Sequence, residues 1–385
     1  MKRQPIYLDY NATTPCDPRV VNAMLPYFTQ QYGNAASADH GYGWYAREAV
    51  EDAREQVARL VGARANQVVF TSGATESINL ALKGIAEARA GQGKHIITCK
   101  TEHKAVLDTC AYLERRGYRV TYLDVDRQGR LLLEALEPSI GEDTICIALM
   151  YANNETGVIH PVRAIGAIAR NHGIPFLCDA TQAVGKIPVH VAADAIDLLA
   201  CSAHKLYGPK GVGALVIHDP KLRATLSPQQ HGGNHEGGLR SGTLNTAGIV
   251  GFGKAAELCY SQMATDAERM EQFRDRLEHD VLKNIPDVII NGKIERLPHV
   301  SNLLLPHGNA EHVLLALSPY LALSRGSACS GLVQRPSHVL KAMGLDDAEA
   351  DRTIRISLGR FTHSEEIDEV VDRLTQVVLA TVLAN

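Results

Sequence analysis

Five short apolar runs in the first two-thirds of the chain each end in residues able to do chemistry. "QVVF" leads into Thr71-Ser-Gly-Ala-Thr75, small and hydroxylated residues ahead of a helix pattern. Free amides and the helix dipole at such a turn suit a phosphate, and an ordinary capped turn has the same appearance. "HIITCK" leads into Thr101-Glu102-His103, and a lone histidine there serves structure as readily as catalysis. "ALMY" is followed by Ala152-Asn153-Asn154-Glu155, whose amides and carboxylate suit a polar ligand or the cap of the next helix. "IPFL" ends in Cys178-Asp179-Ala180-Thr181-Gln182, and an aspartate closing an apolar strand is costly to bury without a cationic partner. "IDLLA" ends in Cys201-Ser202-Ala203-His204-Lys205, just ahead of the sharp turn "YGPKG". Much later, "SRGSACSGLVQRPSHVL" sets Cys329 among serine, glycine and alanine, whereas most other cysteines sit in apolar runs, as small buried hydrophobes do.

A phosphate nest, a histidine, an amide, an acid and a lysine at successive strand ends suit one cofactor. Pyridoxal phosphate needs a lysine for its Schiff base, an acid that keeps its ring nitrogen protonated, and a cradle for its phosphate. The candidates are Lys205, Asp179 and the loop at Ala74 and Thr75. Lys210 is the rival amine; after a proline and before a glycine, it is expected on the outgoing loop.

The elements that must position these residues alternate. "WYAREAVEDAREQVARLVG" puts Ala46, Ala49, Val50, Ala53, Val57, Leu60 and Val61 on one helical face, with Gly62 as its C-terminal cap. Helix patterns also follow "QVVF", "HIITCK" and "ALMY", and "RVTYLDV" reads as one more strand. The strand runs are rich in Ile, Val and Leu and do not alternate in polarity, which predicts an α/β fold with a mainly parallel sheet covered by helices on both faces. In open sheets of this kind ligands gather beyond the carboxyl ends of the strands. Near residue 260 the pattern changes: a helix with Met270, Phe273, Leu277 and Val281 inward, candidate strands "VSNLLLP" and "TIRISLG", and a last helix, capped by Thr362 and Glu365, with Ile367, Val370, Val371, Leu374 and Val378 inward. The expected division is a large domain over 16–259 and a smaller α+β domain formed by 1–15 and 260–385.

Composition narrows the function classes. The 385 residues suggest two domains, and 45% hydrophobic and 21% charged content is ordinary for a globular protein. A formal charge of −4 makes no electrostatic case for direct contact with nucleic acid or a membrane surface. The start "MKRQPIYLDYNATTP" has no apolar core of a secretory signal, and no run is long enough to span a bilayer. The eight cysteines form no C-x-x-C pair, so neither a metal site nor a disulfide framework is expected, and a reducing cytoplasm fits.

In family order, "TSGATES", "TEHKAVLDTC", "NNETG", "DATQAVGK", "SAHKLYGPKG", "RSGT", "GSACS" and "IRISLGRF" resemble the signature segments of pyridoxal-phosphate-dependent cysteine desulfurases, the NifS/IscS-like members of the class V aminotransferase family. The likeness runs from "YLDYNATTP" to "SLGRFT". It implies a fold-type-I homodimer that converts L-cysteine to L-alanine, moves the sulfur to Cys329 as a persulfide and passes it to an acceptor protein. Carried over residue by residue, Lys205 would hold the cofactor's aldehyde, Asp179 its ring nitrogen and Gln182 its ring oxygen. His103 would stack on the ring and move protons. Ala74, Thr75, Ser202 and His204 would hold the phosphate, and Thr243 would reach the phosphate of the neighbouring subunit. Asn154 and Arg355 would orient the substrate, Arg355 on its carboxylate, with Asn34 a further contact. The segment at about 324–336 would be a mobile loop; Arg325 within it reads as a solvated cation or as one near the thiol.

The chain departs from that pattern twice. "SGLVQRP" follows Cys329 in place of a serine-rich stretch, and "VLAN" closes the chain soon after the last helix, short of the tail common in iron–sulfur housekeeping members. Iron–sulfur assembly, tRNA thiolation and DNA phosphorothioation all stay open as destinations, with any nucleic acid touched by a partner. The alternatives are a selenocysteine lyase or other class V lyase, an aminotransferase that needs a 2-oxo acid, and a non-catalytic sulfur-carrier scaffold.

Overall fold

The computed structural model describes residues 4–326 and 336–383, with side chains up to residue 380. Its strands in chain order are β1 (Ile6–Tyr7), β2 (Val68–Thr71), β3 (His95–Cys99), β4 (Arg119–Leu123), β5 (Thr144–Met150), β6 (Phe176–Asp179), β7 (Leu198–Ser202), β8 (Gly213–Ile217), β9 (Ile289–Ile290), β10 (Val300–Leu304), β11 (Leu321–Ala322) and β12 (Thr353–Ser357). Seven of them form one sheet in the order β2-β8-β7-β6-β5-β3-β4. The pairs from β4 to β7 are parallel, and β8 runs against both its neighbours.

All seven residues of β5 are buried, as are all of β3, β6 and β7. A non-alternating apolar strand demands cover on both faces, and it has it. On one face Ile96, Ala148 and Leu198 pack with Ile78, Leu82 and Ile85 of the helix Ala74–Ala88. On the other, Ile97, Leu149 and Cys178 pack with Val50 and Val57 of the helix Gly41–Leu60 and Phe252 of the helix Thr246–Asn284. Each aliphatic side chain so buried contributes about 1.5–3 kcal/mol of transfer free energy.

β8 is absent from the sequence reading. It follows β7 through a tight turn, without the helix that joins parallel neighbours, so "GALVI" is masked by the turn residues before it.

The remaining strands form a three-stranded antiparallel sheet, β12-β10-β9, and the parallel pair β1-β11. Ile6, Leu8, Leu303, Ile354 and Ile356 share a separate core with the last helix, Ser364–Leu383, whose five expected inward residues are all in it. Its cap differs from the expected Thr362–Glu365 pair: the Glu366 carboxylate accepts from the His363 amide at 2.8 Å, and Thr362 Oγ1 instead accepts from the Gly359 amide at 3.0 Å. The 39-residue helix Thr246–Asn284 crosses residue 260 unbroken. Its first half belongs to the core of the large sheet through Phe252 and Ala256, its last part to the smaller core through Leu277 and Val281.

Candidate active site

Five strands of the large sheet end on one side of a cavity of about 460 Å³, as the parallel order requires. β2 delivers Ser72–Thr75, β3 His103, β5 Asn154, β6 Asp179 and Gln182, and β7 Ser202, His204 and Lys205; Arg355 comes from β12 in the smaller sheet and Gly326 from the segment before residue 327. A cleft of about 620 Å³ elsewhere is lined by Arg47, Arg223 and the buried Arg54–Glu236 ion pair, and brings no lysine, histidine and acid together.

Lys205 closes a short 3₁₀ turn, Ala203–Lys205, whose exit is fixed by the N-terminal segment. Thr14 donates its amide and its hydroxyl to the His204 carbonyl, both at 2.9 Å, and its hydroxyl accepts from the Tyr207 amide at 2.8 Å. Tyr207, fully buried at φ +66°, ends the turn in the left-handed region. The Lys205 ammonium donates to the carbonyls of Asn11 at 2.5 Å and Ala12 at 2.8 Å, and Gln182 also donates to Asn11 O, at 3.0 Å. Burial, with Arg355 nearby, lowers the Lys205 amine from 10.5 to about 8, partly opposed by Asp179 and Asp9. Only the neutral form of an amine attacks an acylating agent, so acylation of Lys205 by acetic anhydride in the apoprotein is expected to rise through pH 8, whereas exposed lysines titrate near ~10.4. Mass spectrometry of labelled peptides checks this; a Lys205 that titrates with the surface lysines would refute the environment described. Lys210 also lines the cavity but is exposed, on the outgoing loop.

His103 caps the helix Lys104–Glu114: its Nδ1 accepts from the Ala105 amide at 3.1 Å, which leaves the proton of the neutral ring on Nε2. Burial, then Lys205 and His338, hold its pKa below the usual histidine value, against a raising effect of Asp179. Beneath it lies Glu102, fully buried, with one hydrogen bond from the Met150 amide at 2.8 Å; burial pushes its carboxyl well up. Burial, Lys205 and Lys210 together lower His204 to about 4.

Asp179 directs Oδ1 to the Thr181 amide at 3.0 Å and hydroxyl at 2.5 Å, and among the described residues Oδ2 has no hydrogen-bond partner. At the end of β2, Gly73 precedes the helix Ala74–Ala88 at φ +153°, where a side chain would be strained, and no side chain caps that helix. The amides of Ala74 and Thr75 have no intrahelical acceptor, and Ser202 and His204 line the same end of the cavity. An uncapped helix start, an acid with a free oxygen and an amine in one cavity fit a phosphorylated aromatic aldehyde such as pyridoxal phosphate.

Arg355 is buried and donates to the carbonyls of Asn154 at 2.8 Å and Gly326 at 3.1 Å and to Asp9 Oδ1 at 2.6 Å; its Nε is buried with no partner among the described residues. Two expected site residues do not line the cavity. Asn34 is exposed and accepts from the Ala36 amide at 2.9 Å, and Thr243 is exposed away from this chain's own cavity. Arg325, read as a solvated cation or as one near the thiol, is paired with Asp351. Cys329 lies outside the described residues, as does most of the 324–336 segment.

Asn11, Asp9 and Glu102 were not read from the sequence as site residues. Asn11 meets Lys205 across 194 positions, with no spacing to signal it; its side chain accepts from His299 Nε2 at 2.8 Å and donates to Asn154 O at 2.9 Å. Among the described residues there is no cluster of histidine, cysteine and acidic side chains able to hold a metal, and no helix long and apolar enough to cross a membrane.

A profile of the aminotransferase class-V family matches residues 6–370. The protein named cysteine desulfurase IscS from Anaeromyxobacter sp. (strain Fw109-5) is 52% identical over 375 residues, 97% of this chain and 92% of that one. A solved structure called a NifS-like protein superposes with a TM-score of 0.91 at 37% identity, covering 98% of this chain and 100% of that one. Another, described as SspA in complex with cysteine, superposes with a TM-score of 0.83 at 38% identity, over 93% of this chain and 100% of that one.

Proposed function

The chain belongs to the aminotransferase class-V family, and from that premise we propose that it is a cysteine desulfurase, taking L-cysteine to L-alanine and moving the sulfur to Cys329 as a persulfide. The observation that carries this reading is the convergence of Lys205, Asp179, His103 and Arg355 on one cavity, with Gly326, three residues before Cys329, at its edge. The desulfurase name of a relative at 52% identity and the cysteine complex of a solved relative support it. We read 16–259 as the large domain and 1–15 with 260–385 as the small one; the core of Leu8, Leu303, Ile356 and the last helix supports the second unit, while Tyr10, Val339, Leu340 and Met343 pack with the core of the large sheet.

Pyridoxal phosphate is the cofactor that these residues suit. The Ala74 and Thr75 amides, Ser202 and His204 would hold its phosphate, with Thr243 reaching that of the second subunit in a homodimer. Asp179 would pair with its ring nitrogen, Gln182 with its ring oxygen and Lys205 with its aldehyde, under the face of His103. Bound there, it supplies a sink for the electrons released at the substrate's Cα.

The side chains do the rest. Arg355 and Asn154 orient the substrate carboxylate. The Lys205 amine, neutral in a useful fraction at its lowered pKa, takes the Cα proton. His103, neutral with its proton on Nε2, accepts or returns a proton beside the cofactor ring. The Cys329 thiolate attacks the substrate's sulfur: an S–S bond forms, the C–S bond breaks, and its electron pair stays with the carbon fragment, which gains protons to become alanine. No external oxidant is needed, because the carbon is reduced as the transferred sulfur is oxidised.

The described cysteines are poor rivals for that role. Six of the seven are buried, and burial raises every one of their thiols, Cys99 to about 11 and Cys201 to about 12. The persulfide then passes to an acceptor protein.

Incubation of the purified holoenzyme with L-cysteine and no 2-oxo acid is the test. Alanine and one added sulfur on the Cys329 peptide are expected by mass spectrometry. A requirement for a 2-oxo acid, or alanine formed with no sulfur on Cys329, overturns the reading.

A further inference from the structure

The chain leaves the described residues at Gly326 and re-enters them at Pro336, and both ends of that stretch meet one buried carboxylate. Glu155 is 1% exposed, on the turn after β5 but outside the cavity lining. On the downstream side, Ser337 donates its hydroxyl proton to Glu155 Oε2 at 2.5 Å. That direction is forced, because Ser337 Oγ also accepts the Val339 and Leu340 amides at 3.2 and 3.3 Å as the cap of the helix His338–Ala342, and its one proton must go elsewhere. On the upstream side, Gly326 lies against the same carboxylate at φ +90°: a Cβ there would sit 3.3 Å from Glu155 Oε2. The Gly326 carbonyl is held by Arg355 at 3.1 Å, and His338 Nε2 donates to the Glu102 carbonyl at 2.9 Å, beside His103.

The turn that holds Glu155 is itself fixed. Asn153 Oδ1 accepts the Glu155 and Thr156 amides at 2.8 and 3.1 Å, and Asn302 of β10 donates to the Glu155 carbonyl at 3.2 Å. The backbone of Glu155 thus joins the turn after β5 to the smaller sheet, while its carboxylate takes the Ser337 hydroxyl and lies beside Gly326.

We propose that Glu155 is a positioning residue for sulfur transfer: its carboxylate anchors the downstream end of the Cys329 segment through Ser337 and packs beside Gly326 at the upstream end, and so governs how effectively the thiol reaches the substrate's sulfur. It touches neither substrate nor cofactor, so its loss weakens the sulfur step and leaves proton chemistry at carbon intact. The inference rests on the desulfurase reading above. Burial raises the Glu155 carboxyl while the Ser337 bond lowers it; glutamine keeps an oxygen acceptor in the same place in either case.

The experiment compares Glu155→Ala, Glu155→Gln and Ser337→Ala holoenzymes with the parent by two readouts. One is rapid-quench mass spectrometry of the Cys329 persulfide in a single turnover. The other is exchange of the Cα hydrogen of L-alanine in deuterated water, which needs Lys205 and no thiol. Glu155→Ala and Ser337→Ala should slow persulfide formation about tenfold or more, in keeping with the cost of small misplacements, while alanine exchange stays within about twofold. Glu155→Gln should recover most of the persulfide rate. Parental persulfide rates in Glu155→Ala, or an equal fall in both readouts, would overturn the proposal. A parent enzyme that exchanges alanine but never loads Cys329 would instead sink the function reading, and this inference with it.

Discussion

Lys205→Ala is expected to cut alanine formation by about 10³-fold, the scale of losing a positioned proton-transfer group, with the fold intact. The side chain is held by two backbone carbonyls, so its removal strands no charged partner; the Asn11 carbonyl keeps its bond from Gln182. Arginine should not rescue the variant, because its guanidinium stays protonated and cannot act as base or nucleophile. Near-ultraviolet circular dichroism checks the fold, and borohydride reduction followed by peptide mass spectrometry checks the chemistry. The cofactor's mass should be fixed on Lys205 in the parent and nowhere in the variant. A label on Lys210 in the parent would move the reactive amine to the exposed loop and end the assignment.

The second large effect belongs to Cys329. Cys329→Ala should bind cofactor and exchange the Cα hydrogen of alanine at the parental rate, yet lose sulfide release from L-cysteine by on the order of 10³-fold or more, as removal of a nucleophile does. The pairing of a silent carbon step with a lost sulfur step is what separates this outcome from misfolding. Cys16→Ala makes a fair control: Cys16 is the one described cysteine that is not buried, and burial still raises its thiol. It should leave turnover within about twofold, the scale of an ordinary surface change. Full sulfide release from Cys329→Ala would favour a lyase that expels sulfur without a protein thiol.

Much of the large sheet could be read in advance because its physics is local. An apolar strand buried on both faces reads as an unbroken run, and the residue that ends it falls at the sheet's ligand side, as Asp179 and Lys205 do. β8 escaped because its run follows a turn-rich stretch with no helix before it. The roles given to individual residues came from the family resemblance. Contacts across the chain had no local signature: the Lys205–Asn11, Arg355–Asp9 and Glu155–Ser337 pairs lie 194, 346 and 182 positions apart. Glu155 is an instructive case. Its acid, after two asparagines, invited a ligand or helix-capping role, and its partner is a serine whose cap and proton are visible only once the two turns meet.

The Asp9–Arg355 pair also orders events during synthesis. A ribosome that has emitted residues 1–257 has already made Lys205, Asp179 and the turn at Ala74 and Thr75, the groups proposed to hold the cofactor. The Arg355 guanidinium, which on the proposed reading would take the substrate carboxylate, is made well after them and is seated by Asp9, made well before. A nascent or truncated chain that stops short of Arg355 would thus carry the amine without the group proposed to select its guest, and discrimination would arrive only when Asp9 and Arg355 close on each other.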